Sequence, residues 1–324
     1  MMRDGNLAAF LDMAPVEESF RDAALAGLSR TEKSIPCRFL YDRRGSALFE
    51  AICELPEYYV TRTEMGILAA RAGAIAERVG PRAQLVEFGS GASRKVRLLL
   101  EALRDLAAYV PVDISRAFLR QAASSVAADF PDVEVSAICA DYSEPRRLPV
   151  LPLARGGRRV GFFPGSTIGN LMPEEAVSFL SGCREALGPG SGMIVGVDLK
   201  KDPDVLHDAY NDSAGVTAEF ILNILDRMNR ELGADFNRAR FRYDASYNEE
   251  AGRIEIYIRS TMAQIVTVAR RPIVFSAGER LHVEYSYKYA VEEFAELARR
   301  AGYRSVDCWT DERKFFSVHY LQTG

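Results

Sequence analysis

Between residues 84 and 199 the chain alternates short apolar runs with amphipathic segments, and this alternation constrains the fold more than any other feature. The runs at 84–88, 109–114, 133–140, 159–163 and 193–199 have strand length and are apolar over most of their positions. Strands of that kind are buried on both faces, as in a parallel sheet covered by helices. The segments 94–106, 115–129 and 173–188 read as the connecting helices, with Ser115 as an N-cap, Pro173 in a first turn and Gly188 as a stop. The rhythm implies an α/β fold with a mostly parallel, doubly wound sheet.

The flanks break the rhythm. Residues 16–28 carry apolar positions at helical spacing. TRTE at 61–64 reads as a capping box that opens a helix running to residue 79, ended by Gly80 and Pro81. Beyond 199, residues 202–232 read as helix and 241–268 as hairpin strands around a turn at 248–252. A further strand lies within 274–289, a helix at 291–301 and two last strands at 305–309 and 315–321. The expected division is a core of 61–199 plus 287–324 and a second domain of 1–60 plus 200–286.

Charge and cysteine usage exclude several classes. The net charge is −4 and the basic clusters (Arg94, Lys95 and Arg97; Arg155, Arg158 and Arg159; Arg270 and Arg271) are short and diluted by acids. Nucleic-acid binding, which rests on phosphate neutralisation by a basic stripe, is not expected. Five scattered cysteines include no C-x-x-C pair and three histidines do not cluster, so neither a disulfide framework nor a metal site is expected. No apolar run reaches the roughly 18 residues that span a bilayer, and residues 1–5 lead into no signal-peptide segment, so the expected location is cytoplasmic. No obligate protein partner is evident.

Chemistry gathers where strands hand over to helices. FGSG at 88–91 follows the first strand, where glycine permits a tight turn and the approach of a ligand to the backbone. The third glycine of a nicotinamide fingerprint is absent, with Arg94 in its place, which argues against a dehydrogenase. Asp113 ends the second strand, where a carboxylate accepts ribose hydroxyls; Asp141 ends the third, where it accepts an adenine amino group, with Tyr142 to pack on the base. GSTIGN at 165–170 follows the fourth strand and would face a transferred group. Aromatic-rich segments at 38–42 and 55–59 are either core packing or a pocket lining.

Taken together, LPEYY at 55–59, TRTE at 61–64, FGSG at 88–91, GSTIGNL at 165–171, AYNDSAGVT at 209–217 and VEYS at 283–286 resemble the histidine-specific Nα-methyltransferases of ergothioneine biosynthesis, in order and over nearly the whole chain. The resemblance implies a Rossmann-like class I methyltransferase core with a second, substrate-binding domain, and S-adenosylmethionine as cofactor. It implies that Gly89, Lys95, Asp113, Asp141 and Tyr142 contact the cofactor. Tyr58, Asn170 and Tyr210 would hold the backbone of the substrate amino acid, chiefly its carboxylate. Glu284 and Ser286, sharing one strand face at period two, would read the imidazole, and Tyr41 would lie near the amine, where it or water takes the proton. The implied reaction is trimethylation of L-histidine to hercynine. Ile256 stands where related chains carry methionine, and Tyr142 replaces phenylalanine.

Three rivals are weighed against this. A relative acting on another, aromatic amino acid has no use for an anionic acceptor at Glu284. A second rival is an RNA or protein methyltransferase, and the acidic balance and lack of basic arms argue against RNA. A non-catalytic cofactor-binding protein would not need intact substrate residues.

Overall fold

The computed structural model describes residues 7–13, 19–91, 93–149 and 157–324. Residues 1–5, position 16 and Arg155, used above, lie outside them. In chain order the elements are β1 (Leu7–Asp12), α1 (Phe20–Leu28), α2 (Arg43–Cys53), α3 (Tyr59–Val79), β2 (Gln84–Phe88), α4 (Arg94–Ala102), β3 (Ala108–Asp113), α5 (Arg116–Asp129) and β4 (Glu134–Cys139). Then come β5 (Arg159–Phe163), α6 (Pro173–Leu187), β6 (Gly192–Asp198), α7 (Pro203–Tyr210), α8 (Val216–Leu232), β7 (Phe241–Asn248) and β8 (Arg253–Ser260). The chain ends with β9 (Gln264–Val268), β10 (Arg271–Phe275), β11 (Arg280–Tyr287), α9 (Val291–Arg300), β12 (Tyr303–Thr310) and β13 (Phe316–Thr323). No helix of the described residues is long and apolar enough to cross a membrane.

The chain divides into two units: Met1–Val16, Arg62–Lys200 and Tyr289–Gly324 form the first, and Glu17–Thr61 with Lys201–Lys288 the second. The first is built on one eight-stranded sheet in the order β1-β4-β3-β2-β5-β6-β13-β12. Pairing is parallel from β1 to β6, and β13 and β12 close the far edge antiparallel. From β2 the chain winds outward through β3 and β4, then returns to β5 on the other side of β2. That reversal opens a crevice at the carboxyl ends of the strands, as in any doubly wound sheet. The fold is a Rossmann-like α/β core. Every residue of β2 and β6 is buried, Gln84, Glu87 and Asp198 included, which accounts for their mostly apolar character. Burying each Val, Leu or Ile of these strands contributes about 1.5–3 kcal/mol.

Three sequence expectations change here. Residues 1–60 do not all join the second unit, because β1 adds in parallel to β4, from Leu7 against Val135 to Asp12 against Cys139. Its run LAAFL suits a sheet edge. Helix α3 begins at Tyr59, so TRTE is not a capping box: Glu64 lies inside the helix and is wholly buried. Residues 202–232 form two helices: α7 ends at Tyr210 with Asn211 as its cap, and Asp212 holds the start of α8. Its carboxylate accepts the N–H groups of Val216 and Thr217 at 2.7 and 2.8 Å, and Gly215 takes φ +71°.

The second unit combines a three-stranded antiparallel sheet, β11-β8-β7, a two-stranded β10-β9 ribbon, and α1, α2, α7 and α8. Strand β8 alternates cleanly: Ile254, Ile256, Ile258 and Ser260 are buried and the residues between them half-buried. Asp42 caps α2 at Gly45 N–H (2.7 Å) and also accepts from Asn223 (2.9 Å) and Arg230 (2.5 Å), which ties α2 to α8.

Candidate functional site

In the first unit the groups of interest stand at the carboxyl ends of β2, β3, β4 and β5. Gly89 leaves β2 with φ +76° and its N–H bonded to the Val112 carbonyl at 2.8 Å. A Cβ there would meet the Tyr142 ring at 3.1 Å, so the glycine meets both a conformational and a steric demand. Ser90 follows with a buried hydroxyl that has no partner among the described residues. Asp113 ends β3, and its Oδ1 accepts the Ser115 N–H at 2.8 Å. Ser115 makes no side-chain cap to α5, and its own N–H is held by this carboxylate. Burial raises the Asp113 carboxyl above its ordinary range, against the backbone N–H groups of Ser115, Ile114 and Ser90. On the neighbouring parallel strand, Asp141 is fixed by the Ser143 N–H (2.9 Å) and hydroxyl (2.6 Å). The Tyr142 ring packs edge-on against Phe163.

Lys95 is anchored from behind. Its ammonium sits 2.6 Å from Glu64, and both oxygens of that carboxylate lie 2.9 Å from the Gly165 N–H. Glu64 thus ties α4 to the loop that follows β5. Gly196 in β6 makes room for it, since a Cβ there would stand 2.0 Å from Glu64 Oε1. Gly165 takes φ +82° with Lys95 Nζ alongside. Beyond it, the Ser166 hydroxyl accepts the Asp198 N–H at 2.9 Å, and Thr167–Asn170 forms a single 3-10 turn that leaves Asn170 half-buried at its end. Glu87, fully buried, accepts the Tyr109 hydroxyl; burial pushes its carboxyl up to about 8, against the Tyr109 hydrogen bond and Lys95. The glycine cradle, the unpartnered Ser90 hydroxyl and two anchored carboxylates on adjacent strand ends fit an adenosyl group with a charged tail. Sequence reasoning missed Glu64 and left Glu87 without a role. An acid at the head of the apolar run 65–70 of the helix was the available signal for the first.

In the second unit the structure gathers Tyr58, Tyr210, Ile256, Glu284 and Ser286. Tyr58 and Tyr210 meet edge to face at 6.4 Å. The Tyr210 and Ser286 hydroxyls are 2.8 Å apart, and Lys288 Nζ stands 2.8 Å from each. Lys288 is 1 % exposed and was not singled out from the sequence. Glu284 pairs in register with Ile256 and Ser286 with Ile254, so both polar side chains share the buried face of β8. They do so because of an irregularity between His282 and Glu284. Leu281 also pairs into the buried face, so plain alternation from it would have put Val283 and Tyr285 inward and Glu284 outward. The extra residue reverses the phase, sending Tyr285 onto the opposite face against His282 (4.0 Å between rings) and Glu284 inward. Burial lifts the Glu284 carboxyl to about 7, opposed by Lys288, and its Oε2 is buried with no partner among the described residues. Tyr41 lies farther along the same aromatic chain: it packs on Phe49 and Phe220, Phe49 packs on Tyr58, and Tyr41 remains 42 % exposed.

The comparisons with known proteins agree in sign. The model of a family described as histidine-specific methyltransferase, SAM-dependent, matches residues 20–323. The chain is 42 % identical over 318 residues to a histidine N-alpha-methyltransferase of Mycolicibacterium smegmatis, covering 97 % of this chain and 98 % of that one. It is 40 % identical over 306 residues to the protein of the same name from Mycobacterium tuberculosis, covering 93 % and 94 %. It is 34 % identical over 295 residues to ergothioneine biosynthesis protein 1 of Neurospora crassa, covering 89 % of this chain and 33 % of that longer one.

Proposed function

The chain belongs to the family of histidine-specific, S-adenosylmethionine-dependent methyltransferases, and from that premise we propose that it methylates the α-amine of L-histidine three times, giving hercynine on the route to ergothioneine. The observation that carries the substrate choice is the buried, unpartnered Glu284 Oε2 beside the Ser286 hydroxyl, on a face walled by Ile256. A stranded acceptor of this kind makes sense for a ligand that brings a ring N–H.

S-adenosylmethionine, when bound, supplies an activated methyl group on a sulfonium. Gly89, Lys95, Asp113, Asp141 and Tyr142 would hold it: the carboxylates take the ribose hydroxyls and the adenine amine, and the Tyr142 ring covers the base. Lys95, already matched by Glu64, is placed to steady the loop after β5 as much as to meet a ligand. Tyr58, Asn170 and Tyr210 would hold the amino-acid backbone, and orientation of the nucleophile is the main task left to the protein. The attacking amine must be neutral. Among the described residues of the second-unit cluster the one carboxylate, Glu284, is assigned to the ring, so the proton leaves through Tyr41 or to water, for which the exposure of Tyr41 leaves room. Mass spectrometry of histidine incubated with the protein and S-adenosylmethionine tests the reading. A trimethylated product is expected; methylation of phenylalanine, tyrosine or tryptophan in preference to histidine would overturn it.

A further inference from the structure

Lys288 follows β11 directly and carries an ammonium into the interior of the second unit. Lysine is almost never fully buried unless paired. Its Nζ and the hydroxyls of Tyr210 and Ser286 are mutually 2.8 Å apart, so the three atoms close a triangle. An ammonium only donates, hence each hydroxyl oxygen accepts from it. Either oxygen can donate on the third side; the phenol is the stronger acid of the two hydroxyls, which favours the Tyr210 O–H as donor to Ser286 Oγ. Ser286 then accepts twice, its lone pairs are used, and its single proton points out of the triangle. On the same sheet face stands the bare acceptor oxygen of Glu284.

We propose that Lys288 is a positioning residue for side-chain recognition: it fixes the Ser286 hydroxyl as a donor and balances the charge of Glu284, so that this face reads a ring with one N–H and one bare ring nitrogen. The inference rests on the histidine reading above. Neutral imidazole is such a ring, phenyl offers neither group and indole only the N–H. An imidazolium, with two N–H groups, would set one of them against the Ser286 proton. The charge balance matters because a substrate with a neutral amine still brings a carboxylate, which an unmatched Glu284 would repel. Among the described residues, the titratable groups that interact with Glu284 are Lys288 beyond its own strand, Cys37 from the turn Cys37–Leu40 and Tyr243 from β7. Of these, only Lys288 is a cation.

Two variants test this in the full chain. Lys288→Gln keeps hydrogen-bond donors without the charge, and Lys288→Met removes both. Calorimetric binding of S-adenosylhomocysteine reports whether each is folded. Carbon-13 NMR of labelled glutamate carboxyls follows the Glu284 midpoint in the ligand-free protein, and steady-state kinetics with histidine are run across pH. In Lys288→Gln the midpoint should rise by about one unit, because the one favourable charge is gone. The acid limb of kcat/KM for histidine should follow it, with kcat at high pH little changed. In Lys288→Met, KM should rise a further tenfold or so as the donor direction is lost. A folded Lys288→Gln protein with the wild-type midpoint and the wild-type KM profile overturns the proposal, and this variant decides the matter if Lys288→Met does not fold. A wild-type protein that fails to methylate histidine while the midpoint still moves overturns the histidine reading instead.

Discussion

In the first unit the functional groups hang on strand ends, where topology alone decides their place; in the second they hang on the middle of a strand, where one inserted residue decides it. Asp113 and Asp141 sit at the carboxyl ends of adjacent parallel strands and could hardly be elsewhere once the sheet winds as it does. Glu284 and Ser286 face inward only because β11 slips phase after His282. The two units also differ in how they treat a buried carboxylate. Glu64 is fully matched, by Lys95 and the Gly165 N–H, and serves structure. Glu284 keeps one oxygen unmatched, and that oxygen is the better candidate for a ligand. A buried carboxylate whose oxygens are bonded organises; one with a bare oxygen waits for a partner.

The largest expected effect breaks the matched side. Lys95→Met strands Glu64 in the interior and should cost about 3–5 kcal/mol of stability, as removal of one partner from a buried pair does. Urea unfolding measures it, and Glu64→Gln added to Lys95→Met should restore most of the loss. A Lys95→Met protein of wild-type stability would mean that Lys95 serves only the ligand.

The pH dependence sharpens the contrast next. Burial holds the Glu284 carboxyl near 7 in the folded chain, above the 4.5 it has when free, so folding favours its protonated form. Its contribution is complete below about pH 4.5 and is lost as pH rises through 7, a change of about 3 kcal/mol for that shift. Glu284→Gln should therefore gain on the wild type by about that amount between pH 4.5 and 8. Glu87, held near 8 in the other unit, adds a loss that also begins at about pH 4.5, runs on through 8 and is shared by both proteins. Equal pH slopes for wild type and Glu284→Gln would remove the unmatched carboxyl from the account.

Ligand effects come after these. Glu284→Ala should reduce kcat/KM for histidine by about 2–4 kcal/mol with cofactor affinity unchanged, since a charged acceptor is lost. Asp113→Ala should do the reverse, weakening S-adenosylmethionine by about 1.5–3 kcal/mol in calorimetry. A variant that disturbed both ligands equally would blur the division of labour between the units.

The same contrast explains what could be read before the structure. The winding order, the glycine turn at Gly89 and the two strand-end aspartates follow from periodicity and spacing, because a parallel sheet leaves few places for a ligand. Pairing of β1 with β4 escaped notice, since a short apolar run at a chain end carries no sign of its neighbour. Glu64 was misread because TRTE satisfies a capping pattern while a helix already under way needs no cap there. Asp212 was missed because an acid that starts a helix here lies inside a stretch that reads as continuous helix. In the second unit, period-two reasoning placed Glu284 and Ser286 on one face, but could not say which face, since a bulge leaves no local mark. Lys288 escaped because a lysine at a strand end is ordinarily solvent-facing, and only the fold shows it 1 % exposed between two hydroxyls.

The most direct measurement sets histidine against phenylalanine, tyrosine and tryptophan at equal concentration with S-adenosylmethionine, for the wild type and for Glu284→Ala, and counts methylated products by mass spectrometry. The expected result is trimethylhistidine alone from the wild type, and a shift of the product ratio toward the other three amino acids in the variant, whose apolar wall at Ile256 remains while the stranded acceptor is gone. An identical product ratio in the two proteins would contradict the reading of Glu284 as the group that selects the ring.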